Sequence, residues 1–171
     1  MKIDETDIYK TYNPEITSDL SDLKESISED LFRYWDGLRN GRAMPTWDEF
    51  SLMDIYKSAP YMLVLDVVRS NEGKTRFQYR FVGTKIVEYW RKRKIADHTG
   101  MFADEAPRIY SPSALIELYD RCAKEAVPIL SCGRYETETS IGEHERMSLP
   151  LGGDDGVVEK LVASVDRLEN R

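Results

Sequence analysis

The sequence predicts an α+β domain: a five-stranded antiparallel sheet with helices on one face, preceded by an N-terminal amphipathic helix. Three observations carry this. Phe77, Tyr79 and Phe81 alternate with polar Gln78 and Arg80, the period-two signature of a strand with one buried face. Leu20, Leu23, Ile27, Leu31, Tyr34 and Leu38 recur every three or four residues, which places them on one side of a helix. Beyond residue 127, three extended stretches are separated by glycine-containing turns, as in antiparallel hairpins.

In chain order, residues 1–18 are polar, contain Asn13-Pro14 and show no sustained period; they read as a mobile acidic arm. Residues 19–40 form the predicted helix, with Asp19, Asp22, Glu25 and Glu29 early and Arg39 late, as the helix dipole favours. Asn40-Gly41 supplies its stop signal. Such a helix either packs across its own sheet or pairs with its copy in a dimer. Pairing is the favoured expectation, through Leu20, Leu23, Ile27, Leu31, Tyr34 and Leu38.

The remaining 41–171 form the body. Short helical turns around Trp47–Phe50 and Leu52–Tyr56 lead to an apolar run, Tyr61 to Val67, read as a central strand covered on both faces. Asn71-Glu72-Gly73-Lys74 turns the chain into the strand at 76–82. Gly83-Thr84 ends that strand, and Thr84 is the expected N-cap of a helix at 84–92. Residues 93–111 are irregular. Ser111-Pro112 opens a helix ending near Glu125, with Ala114, Leu115, Leu118, Tyr119 and Cys122 as its stripe. Strands are expected at Pro128–Glu138, Glu143–Leu151 (across the turn Ser140-Ile141-Gly142) and Val157–Leu168. This layout encloses a small apolar chamber between sheet and helices.

Composition narrows the function classes. With 41% hydrophobic and 32% charged residues the chain reads as one soluble domain, and its longest apolar runs fall far short of the roughly 20 residues that span a bilayer. No secretory signal is legible at the start, so a cytoplasmic location is expected. The net charge of −7 is concentrated at the N-terminus, where residues 1–30 hold nine acids against three lysines. Such an arm repels phosphate backbones, which argues against nucleic acid as a partner. The basic run Arg91-Lys92-Arg93-Lys94 reads as a solvated loop or, alternatively, a docking patch for an acidic partner. Cys122 and Cys132 form neither a CxxC pair nor a disulfide framework, and with His98 and His144 as the two histidines no ordinary zinc set exists.

Local motifs carry a resemblance. Tyr34-Trp35, Leu38-Arg39, Gly41-Arg42-Ala43-Met44-Pro45, Asp54-Ile55, Leu65-Asp66-Val67, Phe77-Gln78-Tyr79-Arg80-Phe81-Val82-Gly83-Thr84, Thr99-Gly100 and Leu149-Pro150-Leu151 look like a family of stand-alone PAS-domain proteins found mainly in alphaproteobacteria. The likeness covers about residues 28 to 165 and includes the order of elements. It implies a bacterial cytosolic sensor or signalling adaptor. Such a protein is dimeric through its N-terminal helix, with a ligand chamber between sheet and helices and an output through protein contacts. A glycine that commonly follows the first small helix in the family is replaced here by the bulky stretch Glu88-Tyr89-Trp90-Arg91.

The chamber candidates are Tyr79, Phe81, Trp90, Tyr119, Cys132, Tyr135 and Met147. Ordinary core packing accounts for each; an adaptable small-molecule pocket accounts for the same aromatic and Met set. Arg80 and Arg146 are expected on the outer sheet face; one pointing inward would hold a carboxylate. No cofactor is expected: the chain lacks the Asn-Cys-Arg-Phe-like motif of flavin-binding relatives and a histidine within 112–125 for haem. Asp97-His98 is the one pair reminiscent of acid–base catalysis, but adjacent loop residues rarely face one another and no third group orients the imidazole, so an enzyme is not expected. The alternative is a ligand-free dimerisation module with a filled core.

Overall fold

The structure, a computed structural model, describes residues 11–12, 14–24, 26–106, 112–136 and 141–169. The start of the acidic arm, the segment around Pro107, the far end of the strand expected to reach Glu138 and Ser140 of the following turn lie outside the described residues.

Seven strands, β1 (Thr11–Tyr12), β2 (Glu15–Thr17), β3 (Met62–Arg69), β4 (Thr75–Val82), β5 (Ile129–Glu136), β6 (Ile141–Gly152) and β7 (Val158–Glu169), join one antiparallel sheet. Its order is β1-β5-β6-β7-β3-β4, with β2 also paired to β5. The helices are α1 (Ser26–Arg39), α2 (Thr84–Lys92) and α3 (Pro112–Glu125), and 3-10 turns stand at Trp47–Glu49 and Ala59–Tyr61. The class is therefore α+β with an antiparallel open sheet. No helix of the described residues is long and apolar enough to cross a membrane.

Residues opposite one another on neighbouring strands share a face of the sheet. Ser164 on β7 pairs with Met147 on β6 and Met62 on β3, and its hydroxyl meets that of Ser28 on α1 at 2.7 Å. That assigns α1 to the face carrying Ser164, Met147, Leu149, Val162 and Val64, here the outer face. Phe77 on β4, which alternates with the outward Gln78, lies 5.6 Å from Tyr119 of α3 between ring centroids. α3 thus covers the opposite, inner face.

Helix α1 departs from its expected span and use. It begins at Ser26, because residues 19–24 are committed to turns: Ser21 N–H donates to the Asp19 carboxylate and Leu23 N–H to Leu20 C=O. Its buried stripe is Ser28, Leu31 and Trp35, one residue round from the expected one, and it lies against this chain's own sheet. Trp35 Nε1 donates to Pro150 C=O at 2.7 Å. Of the proposed pairing residues, Leu31 is fully buried in the chain's own core. Leu20, Leu23, Tyr34 and Leu38 are half-buried against that core, and Ile27 is half-buried on the helix. The face expected to pair with a second copy is largely consumed within one chain.

Two glycines mark close backbone approaches. A Cβ on Gly83, which is the N-cap of α2 in place of the expected Thr84, would lie 2.3 Å from Pro60 O; one on Gly152 would lie 2.1 Å from Val157 O. The arm, too, is ordered where it is described: β1 and β2 pair with β5 at Thr11↔Glu136, Tyr12↔Tyr135, Glu15↔Cys132, Ile16↔Ser131 and Thr17↔Leu130.

Candidate functional site

The layer between the inner sheet face and α2/α3 is built in two parts. On the β4 side, Tyr79 packs edge-on to Trp90 of α2 at 6.2 Å, and Trp90 lies 4.0 Å from His98. His98 also lies 5.5 Å from Tyr79. It is a loop residue, as expected, yet only 2% exposed. Phe77 and Tyr119 close the neighbouring space. Asp97, the other half of the sequence's acid–base pair, spends its Oδ1 on the N–H and hydroxyl of Thr99.

On the β5–β6 side the inner face turns polar. Arg146 and His144, alternate residues of β6, are 7% and 8% exposed, and Arg146 stands between Ser131 on β5 and Val165 on β7. Arg146 is thus not on the outer face where the sequence placed it, and His144, on the strand expected at Glu143–Leu151, is buried. Burial, with the neighbouring Arg146 charge as the second cause, pushes the His144 imidazole down to about 4. Tyr135, buried on β5, shares this face one pair beyond Gly133↔His144.

Of the seven chamber candidates, Tyr79, Trp90, Tyr119 and Tyr135 belong to this inner layer; the other three do not. Met147 and Cys132 alternate onto the outer face, since Met147 pairs with Ser164 and Cys132 with Glu145. Phe81 is diverted by a β-bulge: it pairs with Val64 while Tyr79 pairs with the next residue, Leu65, so the two aromatics face opposite sides. Arg80, the residue between them, lies on the outer face, as expected. There its guanidinium lies 3.4 Å from Asp66 and 5.7 Å from the Trp47 ring centroid, with Lys160 over the same ring and paired to Asp66. Sequence reasoning missed His144 and His98 as interior groups; the alternation of His144, Arg146 and Ser148 against Met147 and Leu149 was the available signal.

The outer face holds a second polar feature. A cleft of about 330 Å³ is lined by Glu15, Asp22, Lys24, Cys132, Gly133, Arg134, Glu143, His144 and Glu145. Glu145 is 3% exposed and accepts the Lys24 N–H at 2.9 Å. Burial, then the Glu145 charge, pushes the Cys132 thiol up to about 11, and burial pushes Cys122 up to about 12. Among the described residues no group of three or more His, Cys, Asp or Glu side chains is arranged to hold a metal ion. In the basic run, Arg91, Lys92 and Lys94 are exposed and Arg93 lies over the Tyr89 ring at 3.7 Å.

No protein-family model, curated protein or solved structure matches the chain.

Proposed function

We propose that the chain is a PAS-type cytosolic sensor or signalling adaptor. It takes a small molecule between the inner sheet face and α2/α3 and signals through protein–protein contacts. The observation that carries this reading is the pair of ionisable side chains, Arg146 and His144, buried beside Ser131 on the inner sheet face, whose β4 end is aromatic. A guanidinium carries five N–H donors in a planar fork, enough to serve acceptors of its own chain and an anionic group together. A guanidinium beside a neutral imidazole suits a carboxylate or another small anionic group, with Ser131 opposite it on β5 as a hydroxyl partner. The order of elements (two strands, small helices, a longer helix, three strands) supports the same family reading that the sequence motifs suggested.

A second reading, a ligand-free interaction module, is favoured by the β4 side, where Tyr79, Trp90, His98, Phe77 and Tyr119 already fill the layer ring against ring. Thermal denaturation against a panel of small organic acids and their neutral amides separates the two. The sensor reading expects some acids, and not their amides, to raise the Tm of the native chain but not that of Arg146→Met. A panel in which no compound moves the native Tm favours the filled-core module.

A further inference from the structure

The two edges of the sheet are closed in different ways. The β4 edge is covered from within the body: Tyr79 N–H donates to Met101 C=O, Gly100 N–H to Tyr79 C=O and Ala103 N–H to Phe77 C=O. Arg76 clamps the same segment through Asp104 and Glu105. Among the described residues, the β5 edge is closed by the N-terminal arm. β1 and β2 hold it through five paired positions, and Arg121 adds one guanidinium bond to Ile16 C=O at 3.0 Å. In β2, Glu15 is exposed, Thr17 is half-buried and half-buried Ile16 packs against the core.

The connection behind the arm is built as a hinge with a fixed far end. Residues 18–23 are turns, and Lys24 is pinned by its N–H to buried Glu145. When the arm leaves, that bond keeps α1 seated while residues 18–23 straighten and Leu20 and Leu23 give up their half-buried contacts with the core. Extended, six residues span roughly 20 Å.

The five pairings and the Arg121 bond engage the arm's main chain, and Ile16 packs against the core; the same arm from another molecule reproduces these contacts. An edge strand whose cover is short and tethered by a hinge is the low-cost route to strand exchange. We propose that the Thr11–Thr17 arm is an exchangeable strand: in the homodimer, the β5 edge of each copy is covered by the arm of the other, and Glu15 of each copy completes its partner's acidic cleft beside Cys132. The occupant is a second copy because the arm is the segment whose sequence already fits this edge, and because the stripe of α1 is spent on its own sheet. This inference does not depend on the ligand reading.

The cross-strand pair Glu15↔Cys132 provides the test. A tagged chain carrying Glu15→Cys and Cys132→Ser is co-expressed with the untagged native chain and exposed to oxidised glutathione. A disulfide between the introduced thiol and native Cys132 then forms only in trans. The expected result is a tagged–untagged linked species near twice 19.8 kDa on a non-reducing gel. That species disappears when both chains carry Cys132→Ser. Its absence overturns the proposal, and so does its persistence without Cys132. A single chain carrying Glu15→Cys alone locates the arm in either case. Closure within one chain, with no linked pair, shows an arm that stays at home.

Discussion

Replacing Trp35 by Phe tests the seat of α1 on its own sheet. The substitution removes the indole N–H that donates to Pro150 C=O at 2.7 Å and leaves that buried carbonyl without this donor. Stranding such an acceptor costs about 1–3 kcal/mol. Loss of the second ring from a site 1% exposed adds about 1 kcal/mol on an area basis. The sum, about 2–4 kcal/mol, is a large share of the stability of an ordinary domain. With a urea slope of about 2 kcal/mol/M, the midpoint moves down by roughly 1–2 M. The assay is urea unfolding followed by far-UV circular dichroism, at low and high protein concentration. Because the contact lies within one chain, the loss is expected to be the same at both. A shift below about 0.3 M, or a loss that appears only at high concentration, refutes the packing of Trp35 on its own sheet and restores helix pairing between copies.

Other consequences are checked more briefly. His144 sits at about 4 in the folded chain against 6.5 when free, so its contribution is complete above pH 6.5 and is lost as pH falls from there toward 4. At pH 5 the loss is about 2 kcal/mol, and the fall in urea midpoint between pH 7.5 and pH 5 is expected to shrink in His144→Gln; an unchanged fall contradicts the buried, neutral imidazole. Gly83→Ala drives a methyl onto Pro60 O and is expected to lower Tm by several degrees, whereas a Tm within one degree of native contradicts that close approach. Both thiols are raised well above their ordinary value of 9.0, so labelling by a disulfide reagent at pH 8 is expected to be slow until denaturant is added. Cys132 reacts first, being the less buried of the two, and rapid labelling of Cys122 in the native chain contradicts its place on the buried face of α3.

Much of the frame was legible because local signals and tertiary demands agree. Ser111-Pro112 announced α3, the Ser70–Lys74 turn announced the β3–β4 hairpin, and the glycine turn at 152–156 separated β6 from β7. The failures have physical causes. A one-residue bulge opposite Val64/Leu65 leaves no mark in the alternation of Phe77, Tyr79 and Phe81, yet it sends Phe81 to the outer face; Arg80 lies there as expected. The strands of the arm are two and three residues long, too short for a period, and exist because β5 has an open edge to satisfy. The helical stripe counted backwards from Leu31 ran through Leu20 and Leu23, which Asp19 and its turn take out of the helix. His144, Glu145 and Arg146 read as surface residues because burial of three consecutive polar side chains depends on what covers both faces of β6, which no local pattern encodes.

The central claim, that the inner layer holds a small molecule at its basic end, is tested most directly by native mass spectrometry of freshly purified protein. The native mass is compared with the denatured mass, for the native chain and for Arg146→Met. The account predicts a stoichiometric excess mass on the native chain that is absent from the variant. A native mass equal to that of the bare polypeptide, or an excess that Arg146→Met retains in full, contradicts it.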